Sequence, residues 1–145
     1  MNDKNMELVW SAFGQLPQEA RTIRAEVFVN EQGFQEEFDE IDGKSRHVVL
    51  YLNGQPAGTA RIFWDEKTIM RLGRLALHKS ARGGGYGRAV LDACREEARR
   101  AGAVRMVLDA QKRAKGFYEA CGFVTVGEEF LEEDYPHFRM ECSLV

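Results

Sequence analysis

Residues 85–102 read GYGRAVLDACREEARRAG. Tyr86, Ala89, Val90, Ala93, Cys94 and Ala98 recur on one stripe at helical spacing, while Asp92, Arg95, Glu96, Arg99 and Arg100 face away, the signature of a helix with one buried face. Arginines fill its last turn, where they oppose the helix dipole, and Gly102 supplies the stop. Such a helix needs an apolar surface to lie on. The segments TIMRLGRLALH (68–78) before it and VRMVLDA (104–110) after it read as the strands that provide one. Strand, helix and strand in succession put the helix on the face of a sheet.

The rest of the chain fits around this unit. ELVWSAF (7–13) is a short strand candidate, and Pro17 to Glu31 reads as a helix, with proline at its start and Ala20, Ile23, Val27 and Phe28 on one face. Gly33 can terminate it. RHVVLYLNGQPAGTARIFW (46–64) forms two β-rich runs around NGQ, a hairpin signal. Gly73 and Arg74 interrupt the run 68–78, as a glycine does at a bulge or a close backbone approach. QKRAKGFYEAC (111–121) is a short helix ended by Gly122, FVTVG another strand, and HFRMECSLV the last. The order β-α-β-β-β-α-β-α-β-β predicts an α/β fold (α+β by some schemes): a mixed sheet with helices on its faces.

The 145 residues are expected to form one domain, 1–145, with a single sizeable core. A formal charge of -3 leaves no broad basic field, so nucleic acid is not an expected partner. No apolar run approaches the roughly 20 residues of a membrane span, and the opening MNDKNMELVW lacks the basic-then-apolar pattern of a signal peptide. Cys94, Cys121 and Cys142 are odd in number and widely spaced. They suit neither a disulfide framework nor a zinc site; a cytoplasmic protein without a metal is expected.

Between strand and helix lies RGGGYGR (82–88). Each glycine is costly to order, so four of them between two arginines call for a use. Helix N-termini carry unpaired N–H groups that favour anions, and successive amides can form a nest around phosphate oxygens. Arg82 and Arg88 would add charge at the mouth. The residues 83–88 therefore read as a phosphate or pyrophosphate cradle. The Walker pattern fails because no Lys-Ser or Lys-Thr follows, and G-x-G-x-x-G fails because the sixth position is Arg88 or Val90.

The pattern that does fit is R-x-x-G-x-G: Arg82, Gly83, Gly84, Gly85, Tyr86, Gly87. It resembles the acetyl-coenzyme A signature of the GNAT superfamily of N-acetyltransferases. A second stretch, QKRAKGFYEACGF, resembles that family's N-x-x-A-x-x-x-Y-x-x-x-G-F, with Gln111 in the asparagine place, then Ala114, Tyr118, Gly122 and Phe123. RAEVFVNEQ (24–32), EFDEIDGKSRHVV (37–49) and GEEFLEEDYPHFRME (127–141) are similar to the small bacterial ElaA-like branch, so the likeness runs from about Arg21 to Glu141.

The resemblance implies a mostly antiparallel central sheet with helices on both faces, acetyl-coenzyme A as cosubstrate and a small-molecule or peptide amine as acceptor. It also implies pairing of two copies through sheet edges or last strands. The coenzyme's pantetheine arm would pair with the main chain of Leu75, Ala76 and Leu77, its pyrophosphate with residues 82–88, and Gln111 would keep the asparagine's hydrogen bond. Tyr118 matches the tyrosine that protonates the departing thiolate. For a base, Glu31 is the first choice and His47 the second; His47 and His137 are also candidates to meet the acceptor. Two alternatives stay open: a domain of the same fold that senses acyl-coenzyme A without turnover, and an unrelated nucleotide-binding enzyme reusing the cradle. The acidic residues Glu36, Glu37, Asp39, Glu40 and Asp42, and Glu128, Glu129, Glu132, Glu133 and Asp134, are expected in solvated loops that could steer a cationic amine.

Overall fold

In a computed structural model of the chain, which describes residues 5–34 and 38–145, eight strands form one sheet. Strand β1 (Met6–Trp10) leads into helix α1 (Gln18–Arg24), followed by β2 (Arg46–Leu52), β3 (Gln55–Glu66) and β4 (Ile69–Leu77). Helix α2 (Tyr86–Arg100), β5 (Arg105–Gln111), α3 (Lys115–Ala120), β6 (Val124–Thr125), β7 (Phe130–Glu132) and β8 (Tyr135–Ser143) complete the chain. The sheet runs β1-β2-β3-β4-β5-β8-β6, with β7 paired to β8. Among the described residues only β4 and β5 pair in parallel, because α2 carries the chain back across the sheet between them.

Alternation along the strands separates two faces. Val48, Leu50, Ala60 and Ile62 join Val90, Leu91, Cys94 and Ala98 of α2 in the main core. The residues between them, His47, Val49, Thr59 and Arg61, are also buried, but on the opposite side, where Ile23, Val27 and Ala76 form only a small apolar cluster. The second face is therefore sealed largely by polar groups. Arg24, 1% exposed, makes a two-pronged pair with Asp42 at 2.8 and 3.0 Å. Arg61 bridges Asp39 (2.7 Å) and Asp42 (2.9 Å), and Arg74 reaches Asp39 at 3.2 Å.

Three expectations are corrected here. Asp42 is not part of a solvated loop: it is buried against Arg24 and Arg61, while Asp39 and Glu40, both exposed as expected, open a short 3-10 turn (Glu40–Lys44) that the two aspartates cap. Glu36 and Glu37 lie outside the described residues. The helix expected to run unbroken to Glu31 widens into a π-helical segment, Ala25–Glu31, in which the Gln32 amide bonds back five residues to Val27 at 3.1 Å. The acidic stretch near the end contains an unexpected strand, β7, whose hairpin turns at Glu133 and Asp134 with φ of 49° and 65°. Both residues take the left-handed conformation of a two-residue hairpin turn, which Asp tolerates and Glu seldom adopts. The NG hairpin is as expected, Asn53 and Gly54 turning between Leu52 and Gln55.

Burial holds the His47 imidazole neutral, below its ordinary 6.5. Burial also raises the Asp42 carboxyl, but hydrogen bonds and charge from Arg24 and Arg61 outweigh it and hold the group at about 2 against an ordinary 3.8. Both shifts weaken the fold in acid. The unfolded chain protonates His47 as pH drops below 6.5 while the native chain does so only at lower pH, and the Asp42 contribution, about 2 kcal/mol, is present above 3.8 and lost as pH falls towards 2. Urea midpoints measured from pH 8 downward should fall first below about 6.5 and again below about 4. His47→Gln should flatten the first decline alone; an unchanged first decline would place its origin elsewhere.

Candidate active site

Strands β4 and β5 pair only at Ile69–Arg71 with Arg105–Val107. Beyond that they part, and two devices cause the parting. Thr59 faces Ala76 while Arg61 faces Gly73, so β4 spends one residue more than β3 over the interval. The surplus falls at Arg74, whose φ of 54° marks a bulge where the sequence interruption pointed. On the other side β5 is drawn to β8, with which it registers along its whole length.

The gap opens a cavity of about 440 Å³ lined on one wall by Leu72, Gly73, Arg74 and Leu75 and on the other by Leu108, Asp109, Ala110 and Gln111. Tyr118 and His137 also line it, as do Phe28, Phe34 and Phe63. A second cavity, of about 380 Å³, continues along Leu75, Ala76 and Leu77 to Glu31 and Arg82. Arg113 lines both. The β4 edge left by the parting is a row of main-chain groups without a neighbouring strand, the kind that an extended chain can pair with.

At the far end lies the glycine run. Gly83 and Gly85 adopt φ of 86° and 82°, and a Cβ at either would meet nothing within 4 Å. Gly85 is the residue that caps α2. The Ala89 amide bonds back to the Gly85 carbonyl at 3.2 Å, and the glycines ahead of it bring successive amides to a 15-residue helix's positive end, the geometry of a nest. This cradle and edge fit a pyrophosphate on an extended arm.

The other expected residues are distributed as follows. Tyr118 is buried on α3, and burial pushes its hydroxyl above the ordinary tyrosine range. His137 is buried, its Nδ1 donating to the Tyr135 carbonyl at 2.8 Å, which leaves Nε2 as the lone-pair nitrogen. Gln111 donates to Gln32 at 2.8 Å and accepts from Arg113 Nε at 3.0 Å. Arg82 turns onto the end of β4: it donates to the Leu77 carbonyl at 3.0 and 3.2 Å and pairs with Glu31 at 2.6 Å. Arg88 lies on the outer side of α2 near Asp92. His47 cannot meet an acceptor. It is 0% exposed, lines neither cavity, and its Nε2 lies 3.3 Å from the Asp42 carbonyl, inside the ionic layer. Asp39, expected only to steer an amine, and Arg74, expected only as a strand interruption, line the larger cavity together with Arg61, for which the available signal was an arginine placed mid-strand in TARIF.

A family model described as an acetyltransferase (GNAT) domain matches residues 15–144. The uncharacterized N-acetyltransferase YjcF of Bacillus subtilis (strain 168) is 37% identical over 122 residues, 81% of this chain and 86% of that relative. The crystal structure of Escherichia coli ElaA matches with a TM-score of 0.84 at 26% identity, covering 94% of this chain and 99% of that one. An acyl-CoA N-acyltransferase from Pseudomonas aeruginosa matches with a TM-score of 0.82, also at 26% identity over 94% and 99%.

The buried ionic layer that walls the larger cavity gives a direct test. Removing one partner strands a buried charge, so Arg24→Met should cost about 3–5 kcal/mol in chemical denaturation. Lys112→Met, which removes an exposed pair with Glu129, should cost under about 1 kcal/mol. Equal small losses would show that the layer contributes no structure to the wall.

Proposed function

The chain belongs to the GNAT acetyltransferase family, whose members work by acyl transfer from acyl-coenzyme A, and on that footing we propose that it moves an acetyl group from acetyl-coenzyme A to a primary amine by direct attack on the thioester. The observation that carries this reading is the continuity of three features: the amide nest at residues 83–88, the β4 edge at Leu75–Leu77 that no strand covers, and the larger cavity ending at Tyr118 and His137.

The amides of the nest would hold the pyrophosphate and the main chain of Leu75, Ala76 and Leu77 would hold the pantetheine arm. Bound there, the cosubstrate supplies an acyl group activated as a thioester; the remaining requirements fall on the chain. Arg82 is within the same channel and would exchange its contacts with Leu77 and Glu31 for phosphate charge. Gln111, clamped between Gln32 and Arg113, fixes the wall opposite β4.

An acceptor amine arrives as an ammonium ion and must lose a proton before it can attack. Glu31, the base expected from the sequence, lies in the channel against Arg82 rather than in the larger cavity, which suits it to hold that arginine. His137 lines the cavity with Nε2 available, and we assign it to take the first proton, in part through water. As the amide forms and the C–S bond breaks, the departing thiolate would take the proton of Tyr118 Oη, and the amine's second proton would restore the phenol. Because burial raises the Tyr118 hydroxyl, it remains a neutral phenol at working pH and is always able to donate. The phenyl rings along the cavity limit access of competing water.

Tyr118→Phe should lower kcat about 100-fold or more in a thiol-release assay while leaving coenzyme A affinity within about two-fold. Unchanged turnover would remove the tyrosine from the reaction. Gly85→Val forces a β-branched residue to φ of 82°, so it should cost about 1–2 kcal/mol of stability and weaken coenzyme A binding at least about 10-fold by calorimetry. Retained affinity in a folded variant would contradict the cradle. A panel of polyamines, amino acids, aminoglycosides, arylamines and lysine peptides, followed by thiol release, tests the acyl transfer itself; no release with any amine would defeat it.

A further inference from the structure

The guanidinium of Arg61 is 4% exposed and clamped in one orientation. One terminal nitrogen donates to Asp39 at 2.7 Å and to Asp42 at 2.9 Å, the other to Asp39 at 3.2 Å. Its Nε–H is buried and has no hydrogen-bond partner among the described residues. An unsatisfied donor on a charged group is among the costlier things a fold can retain, and the two carboxylates prevent the group from turning to relieve it. A site that keeps such a donor has a use for it.

Residue 73 stands directly beside that nitrogen. A Cβ on Gly73 would fall 3.4 Å from Arg61 Nε and 3.8 Å from its Cγ. Gly73 does not have the positive φ that favours glycine, so the backbone does not demand one there. What glycine provides is a recess. Arg61 and Gly73 both line the larger cavity, whose walls include Phe28, Phe34 and Phe63.

We propose that this recess is a specificity subsite of the acyl acceptor: the acceptor carries, on the same small skeleton as its amine, an oxygen that accepts from Arg61 Nε–H beside Gly73, while an apolar side chain lies along the phenylalanines. The chemistry is that of an α-amino acid or of a peptide's first residue, with a carboxylate or an amide carbonyl as the accepting group. The proposal rests on the amine-acetylation reading and refines it. It also reverses the expectation of steering by the first acidic cluster, because Asp39 and Asp42 are committed to arginines.

Three probes separate the possibilities: L-phenylalanine, L-phenylalaninamide and 2-phenylethylamine. Thiol release should give a kcat/KM at least about 10-fold higher for one or both of the first two than for the third, since a site built around a hydrogen bond penalises a ligand that lacks the partner. Preference for the acid or for the amide identifies which oxygen is used. Equal or better use of 2-phenylethylamine overturns the proposal, as does turnover confined to amines outside this set; failure of every amine overturns the acyl-transfer reading instead.

A binding measurement needs no turnover. N-acetyl-L-phenylalanine or its amide should bind at least about 10-fold more tightly than N-acetyl-2-phenylethylamine by calorimetry. Gly73→Ala fills the recess with a methyl at ordinary contact distance, leaves the pairs with Asp39 and Asp42 in place, and should bring that ratio to within about two-fold with coenzyme A affinity unchanged. No difference in the wild type, including no detectable binding of either product, or a difference that survives Gly73→Ala, overturns the proposal that the acceptor uses Nε.

Discussion

The parting of β4 from β5 is the constraint on which the rest of the molecule depends. A parallel pair that continued past Arg71 and Val107 would close the sheet and leave neither cavity nor free edge. It cannot continue, because the bulge at Arg74 re-aims β4 while β5 is held by β8 over seven registered pairs. The main-chain groups exposed on β4 would be a liability in a sheet open to solvent. Here they lie in a channel that begins at the nest of α2 and ends beneath Tyr118 and His137. One interruption in a strand thereby generates a binding edge, a reaction chamber and the path between them.

The two faces of the sheet solve different problems. The face under α2 is packed with aliphatic side chains and carries the stability of the fold. The opposite face has few apolar contacts and is closed by Arg24, Asp42, Arg61 and Asp39 around His47. An ionic layer of this kind is a poor route to stability compared with hydrophobic packing. Its value is orientation: it fixes charged groups at the cavity wall with little freedom to reorganise, a condition for selective recognition. The π-helical segment works to the same end: its Val27 and Phe28 both pack in the small cluster, and Val27 lines the second cavity while Phe28 lines the larger one.

Much of this was legible in the sequence because the signals were local. The glycines at 83–87, the NG turn and the Gly73–Arg74 interruption each impose a conformation on a few adjacent residues and stand where they were expected, and the stripe of α2 is buried at Val90, Cys94 and Ala98, with Leu91 the buried residue it left out. The resemblance to the GNAT superfamily is borne out by the family match and by ElaA among the structural neighbours. What escaped depended on partners distant in sequence. Arg24, Asp42 and Arg61 are separated by 18 and 19 residues, and an acidic loop reads as solvated until the arginines that claim it are known. His47 opens a strand as a reactive histidine would, yet the register with Arg61 places it in the buried layer. The β7 hairpin was hidden because its turn uses Glu133 and Asp134 where glycine or asparagine would have announced it.

Amide hydrogen exchange resolved along the backbone, measured with and without coenzyme A, tests the central claim most directly. If the parted β4 edge and the nest of α2 together hold the coenzyme, protection should rise in two separate stretches, 74–77 and 83–88, and little in β1, β2 or the β6 edge. Protection elsewhere with both of these stretches unchanged would contradict the account.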